Sequence, residues 1–284
     1  EVEVSLANWG PIGPARTSPA GVVLFVDGVR RVEARVWIDA GDGGVRPGIV
    51  ASFAAGAVRC DGVAALDTVV VERGLFSSYG AAAPIETRAG AFPPRLAPTD
   101  TPDGLSLALQ ERMGNAEVRA AEAACSQADA DLVVIDGPLK GRQHLSHAVG
   151  YVKTHHVAYL PPDLHALVGR MAPGQRSPLV CLGTSWSRLS WYLKLPVDSS
   201  ETPWAGVVRC ECSADLPLAK AVALADSVAA TLPRFASRSH KDGRAPQNLY
   251  PIAGLERELR RRLGDPNVIY RAIRVAAARQ VPAA

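Results

Sequence analysis

Two aspartates stand in similar surroundings along this chain. Asp27 closes the apolar run Gly21 to Asp27 in FVDG, and Asp136 closes LVVID in VIDGP. Glycine follows each. A carboxylate at the end of a core strand is costly to bury alone, so it points into a cleft or binds something. An Asp-Gly pair also starts turns, and a single one reads that way. Two of them, each at the exit of a hydrophobic strand, point to shared chemistry. Carboxylates held close together repel unless a cation neutralises them. Their hard oxygens suit Mg²⁺ or Mn²⁺. Two such ions roughly 3.5–4 Å apart stabilise both the attacking and the leaving oxygen at a phosphate.

A third carboxylate would complete such a site. The segment Leu105 to Ala128 has helical composition and runs directly into the Asp136 strand. It offers Glu111, Glu117 and Glu122, although most helical glutamates are simply solvated. Arg238, His240, Lys241 and Arg244 crowd the stretch SRSHKDGR. Alone it reads as a solvated loop; beside a metal cleft it would be a phosphate-contacting arm. In ERELRRRL, Glu256 precedes Arg260 by four residues and Glu258 precedes Arg262 by four, which suits an exposed helix.

Other constellations are weaker. His144 and His147 are spaced to share a helix face, but no HExxH-type acid accompanies them, so a polar surface pair or phosphate contacts are expected rather than a zinc site. Cys210 and Cys212 alternate on a strand and read as small packed side chains rather than zinc ligands. Trp186, Trp191 and Tyr192 read as strand packing or a subunit contact. Neither GxxxxGK[ST] nor GxSxG occurs, so the chain should not hydrolyse ATP or use an activated serine. Aromatic residues make up 6%, too few to suggest a base-stacking platform. The formal charge of +3 is compatible with a nucleic-acid partner and does not demand one. No apolar run approaches the roughly 20 residues of a membrane helix. Five cysteines without framework spacing fit a reducing cytoplasm.

These residues need elements to position them. Gly21 to Asp27 is a buried strand, Gly28 begins a turn, and Arg31 to Asp39 alternates as a half-buried strand running back. Gly48 to Arg59 adds a third strand after the AGDGG turn, and Val69 to Glu72 a short further one. Residues 83–104 carry five prolines and read as a loop. The helix follows, then Leu132 to Asp136, then a strand in Val149 to Thr154. A short helix after LPPD, three antiparallel strands in SPLVCLG, LSWYLKLPV and GVVRCECS, and a helix over Leu216 to Leu232 come next. Helices over Gly254 to Leu263 and Pro266 to Ala278 close the chain. A first-strand aspartate on a meander, then a helix, then a later strand with a second aspartate is the layout of a ribonuclease-H-like fold. The fold class is therefore α/β: a ribonuclease-H-like mixed sheet with flanking helices.

Four stretches in this order resemble the NurA family of nucleases. They are FVDG at Phe25 to Gly28, VIDGPL at Val134 to Leu139, VGYVKT at Val149 to Thr154, and QNLYPIAGLERELRRRLGD at Gln247 to Asp265. The resemblance implies a single nuclease domain over residues 1–284. Residues 1–20 would be an irregular arm, and residues 236–284 a basic loop and C-terminal helices that complete the active site. It implies Mn²⁺-dependent (or Mg²⁺-dependent) cleavage of DNA, 5′ to 3′, with nicking of single strands. A ring-like homodimer working with a HerA-type hexameric ATPase in end resection and repair is the implied setting, with no membrane partner.

Carried over residue by residue, Asp27 and Asp136 are the metal-binding aspartates. Glu117 is the helical ligand, with Glu111 second, and Lys153 lies near the scissile phosphate. Tyr250 and Pro251 match the family's tyrosine-proline pair. Arg30, Lys153, Arg238, His240, Lys241 and Arg244 are the expected DNA contacts. The chain departs from the pattern two helical turns after Tyr250, where an active-site histidine is replaced by Glu258. Glu258 supplies a ligand instead, or His240 does, or metal binding is weaker. The last option leaves a second reading, a catalytically weak or inactive DNA-binding or partner subunit.

Overall fold

The computed structural model describes residues 2–14, 17–41, 43–127, 129–183, 186–197 and 202–280. In chain order the strands and helices are β1 (Val23–Asp39), β2 (Val45–Asp61), β3 (Val63–Ser77), β4 (Ile85–Thr87), β5 (Gly90–Phe92), β6 (Pro94–Leu96), α1 (Pro102–Gln127), β7 (Leu132–Asp136), β8 (Ala148–Val152), α2 (Pro162–Gly169), β9 (Val180–Gly183), β10 (Ser187–Lys194), β11 (Val207–Ser213), α3 (Leu218–Thr231), α4 (Tyr250–Arg262) and α5 (Pro266–Gln280). Their contacts form two compact units. One comprises Glu1–Val26, Val58–Leu66 and Ala124–Gly254; the other comprises Asp27–Ala57, Asp67–Ala123 and Leu255–Ala284.

In the first unit the hydrogen-bonded order is β1–β7–β8–β11–β10–β9. β7 runs parallel to both β1 and β8, whereas β11, β10 and β9 pair antiparallel. Every residue from Leu132 to Ile135 is buried, so β7 carries apolar side chains on both faces, as a central parallel strand must. Phe25 packs edge-on against Phe235, with ring centroids 4.9 Å apart. The N-terminal arm is fastened by charge: Arg176, 1% exposed, pairs with Glu3 at 2.8 Å and Asp226 at 2.7 Å.

In the second unit the order is β6–β3–β2–β1. Gly62, at φ 69°, is the single residue between β2 and β3, which forces a tight hairpin. β2 shows why helices cover both of its faces. Ala51, Phe53 and Ala55 pack with Leu109, Met113 and Ala116 of α1, while Val50 packs with Ile269 and Ile273 of α5. A Cβ on Gly56 would meet Leu255 and Leu259 of α4 at 3.3 and 3.2 Å. Odd and even positions thus bury against different helices. α1 begins at Pro102 with Thr101 Oγ1 accepting from the Gly104 amide, and α5 begins at Pro266 with Asp265 Oδ1 accepting from the amides of Asn267 and Val268.

The fold is mixed α/β. A meander of three strands, followed by β7 and β8 parallel to β1, is compatible with a ribonuclease-H-like sheet. One expectation fails. Gly28 does not begin a turn, because β1 runs unbroken from Val23 to Asp39 and Asp27 lies inside it. The glycine serves a close approach instead: a Cβ there would lie 2.4 Å from Glu117 Oε1 and 3.0 Å from Met113 Cγ. Gly137 does turn, at φ 99°. Smaller differences follow the same chemistry. The proline-rich stretch contains the three-residue strands β4, β5 and β6, and α4 begins at Tyr250 rather than Gly254. His144 and His147 lie in turns, not on a helix face. The AGDGG turn includes Asp42, which is outside the described residues.

Candidate active site

In the β1/β7 ladder Val26 stands opposite Ile135. Asp136 is the last residue of β7, and Asp27 lies within β1. Asp27 is 7% exposed, and its Oδ1 accepts from the Gly28 amide at 2.7 Å. In its own unit it has an acidic neighbour. Carboxylate oxygens of Asp27 and Glu256 lie within 4.8 Å of one another. Two oxygens on one Mg²⁺-sized ion, each at about 2.1 Å, are at most about 4.2 Å apart. A small side-chain rotation closes that difference, so the donor set fits a hard divalent cation.

Glu256 joins this acidic group although its sequence pattern marks only a helix partner of Arg260. With α4 starting at Tyr250, the buried residues Ile252, Leu255, Leu259 and Leu263 form its inner stripe, and Glu256 falls within that stripe at four residues from Ile252. A carboxylate inside an apolar stripe was the available signal. Glu258 points elsewhere. It bonds Arg261 Nε at 2.7 Å and Arg262 Nε at 2.7 Å. These hydrogen bonds hold its carboxyl down at about 2.

Glu117 is 5% exposed and rests against the backbone of Gly28, one residue from Asp27. It is outside the close carboxylate group found among the described residues. Glu111 is exposed on α1.

Beyond Asp136 lies a polar chain from two loops. Lys153, just past β8, donates to Asp136 Oδ2 at 2.6 Å and to Asn248 Oδ1 at 3.2 Å. Asn248 is fully buried and donates from Nδ2 to Asp242 Oδ2 at 2.6 Å. Burial alone would raise the Asp242 carboxyl. The Arg244 amide, the Asn248 amide and the Arg244 charge outweigh it and hold the group below the usual carboxylate range. Tyr151 donates to the Gln247 carbonyl at 2.6 Å, and burial pushes its phenol well above the usual value. Asn248 and Asp242 were also missed; a buried asparagine is visible only once the loop is folded.

The basic loop is open to solvent. Arg238, His240, Lys241 and Arg244 are all exposed, and Lys241 Nζ sits 5.7 Å from the ring centroid of the exposed Tyr250. Arg30 is exposed on β1 and donates to Ser106 at the start of α1. Cys210 and Cys212 are buried, and burial pushes the Cys212 thiol up to about 12.

The family model described as NurA domain matches residues 21–261. The chain belongs to the NurA family. NurA proteins are nucleases, metal-dependent in general, and their substrate is DNA. No curated protein matches the chain. For a NurA nuclease, acidic side chains at the ends of β7 and within β1 are the expected chemistry, and an acidic group of that kind is present here. Among the described residues no helix is long and apolar enough to cross a membrane.

Proposed function

We propose that the chain is a Mn²⁺- or Mg²⁺-dependent DNA nuclease whose metal ligands are Asp27, Asp136 and Glu256. The observation that carries this reading is the approach of the Asp27 carboxylate to that of Glu256. Glu117, buried one residue away, is the fourth carboxylate and a ligand for a second ion. Bound there, a divalent ion supplies charge to the phosphate oxygens and lowers the pKa of a water. The chain's own residues orient the reaction. Lys153 fixes the Asp136 carboxylate and adds positive charge beside the phosphate. Asn248 holds Lys153 in place, and Tyr250 with Lys241 flanks the same loop. Arg30, Arg238, His240, Lys241 and Arg244 contact the DNA backbone without reading sequence.

Glu256 takes the place of the family's histidine in this reading, so neither Glu258 nor His240 is needed as a ligand. We extend the proposal to the family's setting. The chain acts as one nuclease domain over residues 1–284, pairs as a homodimer, and works in the cytoplasm with a HerA-type hexameric ATPase. It digests 5′ to 3′, nicks single strands, and serves end resection and repair.

The test is cleavage of labelled single- and double-stranded DNA with Mn²⁺, Mg²⁺ or chelator. Wild type should cleave only with metal. Asp27→Asn and Asp136→Asn should each lose at least about 10²-fold in rate while keeping the wild-type circular dichroism spectrum. Metal-independent cleavage, or full activity in either variant, rejects the site. No cleavage of any DNA by wild type supports the partner-subunit reading instead.

A further inference from the structure

A cavity of about 370 Å³ opens beside Asp136 and Lys153, within the first unit. Tyr151, His156, Tyr159 and Arg209 are among its other walls. Arg209 comes from the centre of β11 and is 6% exposed. Its Nη1 donates to Glu211 Oε2 at 2.5 Å and to Ser190 Oγ at 3.3 Å. Among the described residues its Nε and Nη2 groups donate to nothing. A guanidinium carries five donors in a fixed fork. Arg209 lines the cavity, and Glu211 and Ser190 engage only its Nη1.

Arg209 shares its carboxylate partner with a second arginine. Glu211 is fully buried and is shared between Arg209 and Arg188, whose Nε lies 3.0 Å from Glu211 Oε2. Its other oxygen, Oε1, accepts from the Leu139 amide at 2.8 Å. One carboxylate thus faces two guanidiniums. The Tyr159 ring lies 5.1 Å from the Arg209 guanidinium and 5.4 Å from that of Arg188, an aromatic wall over both. His155 also lines the cavity, but it is engaged elsewhere. Its Nε2–H donates to the Val207 carbonyl at 3.0 Å, and its ring packs 5.1 Å from Trp204.

We propose that this cavity binds the terminal phosphomonoester of a DNA strand, with the Arg209 fork as its principal ligand and Lys153 beside it. A guanidinium fork matches a phosphate dianion bidentately, and a recess of this size seats a strand end with its last sugar. The choice of DNA rests on the nuclease reading above. Arg209 takes no part in metal binding; it holds the end of a strand whose cleaved bond lies at Asp136.

The experiment is fluorescence anisotropy with single-stranded oligonucleotides ending in a 5′-phosphate, a 3′-phosphate or hydroxyls only, with Ca²⁺ in place of Mn²⁺ to hold the substrate intact. One phosphorylated end should bind about tenfold more tightly than the hydroxyl form, and excess inorganic phosphate should erase that difference. Arg209→Gln should bring the ratio to about one, with hydroxyl-ended binding unchanged within about twofold. Arg209→Lys keeps a charge against Glu211 and should retain an intermediate ratio, so a poorly folded Gln variant does not end the test. Equal affinity of wild type for all three ends overturns the proposal. So does a folded Arg209→Gln protein that keeps the full preference. End preference without Mn²⁺-dependent cleavage leaves this site standing and rejects the nuclease reading; cleavage without end preference does the reverse.

Discussion

Lys153 Nζ lies 2.6 Å from Asp136 Oδ2, with both side chains largely shielded from solvent. In the proposed site the ammonium and a metal ion would compete for the same carboxylate, and both would favour the same phosphate. Replacing Lys153 with Met should therefore split two measurements. Divalent-ion affinity should rise about three- to tenfold, because a competing charge is gone. The cleavage rate at saturating metal should fall about 10²-fold, because charge beside the phosphate is gone. Calorimetric titration with Mn²⁺ and a single-turnover assay read the two. Weaker metal binding in the variant would show that Lys153 helps to build the ion site rather than competing for it.

Gly28 and Glu117 form the next testable contact. Gly28 has no positive φ, so an alanine there meets no backbone strain. It meets the Glu117 carboxylate at 2.4 Å, and either that side chain or β1 must move. Gly28→Ala should cost about 1–3 kcal/mol in urea melts, the usual penalty of overpacking a tight site. Pairing it with Glu117→Ala should recover most of that stability, since the obstructing oxygen is removed. If Glu117 is a ligand, activity should not return with stability. Additive losses in the double variant would place the strain elsewhere.

Gly28 also shows where sequence reading stops. An Asp-Gly pair is a local turn signal, and at Gly137 it was right. At Gly28 the same pair is explained by a helix many residues away, which no local rule contains. β7 was legible to the residue because an unbroken apolar run between polar loops has one interpretation. The final strands were legible as strands but not in their charge. Arg209, Cys210, Glu211 and Cys212 alternate like a half-exposed strand, yet all are buried. Only the pairing with β10 brings Arg188 across to Glu211. Glu256 was hidden by a late helix start, which put the apolar stripe of α4 out of view. Asp136 was legible as the end of β7, whereas Asp27 lies inside β1 rather than at its exit.

The buried Glu211 supports a stability prediction. It bonds both Arg188 and Arg209. Glu211→Ala removes this shared carboxylate from two buried guanidiniums and should cost about 3–5 kcal/mol. Glu211→Gln keeps an acceptor for the Leu139 amide and should cost less. Chemical denaturation of the three proteins gives the order. A loss under about 1 kcal/mol for the alanine variant would mean that water or the other arginine contacts compensate.

The two glutamates of α4 allow the sharpest separation, because they lie two residues apart and differ in everything else. Glu256 approaches Asp27, whereas Glu258 is held by Arg261 and Arg262. Glu256→Gln should abolish Mn²⁺-stimulated cleavage and weaken Mn²⁺ binding by at least about tenfold, as loss of one charged ligand does. Glu258→Gln should leave both within about twofold, because its partners are solvent-exposed ion pairs that salt screens. The pH dependence points the same way. The Glu258 carboxyl is depressed to about 2 from 4.5. A depressed carboxyl contributes stability above its unfolded value and loses it as pH falls through the folded value. Glu258 is therefore fully ionised at every pH above about 5 and adds no slope to an activity profile measured there. Any titration seen between pH 5 and 8 must come from other groups, and it should be the same in wild type and Glu258→Gln. If Glu258→Gln removes activity while Glu256→Gln retains it, the ligand belongs on the outer face of α4 and the site drawn from Asp27 and Glu256 is wrong.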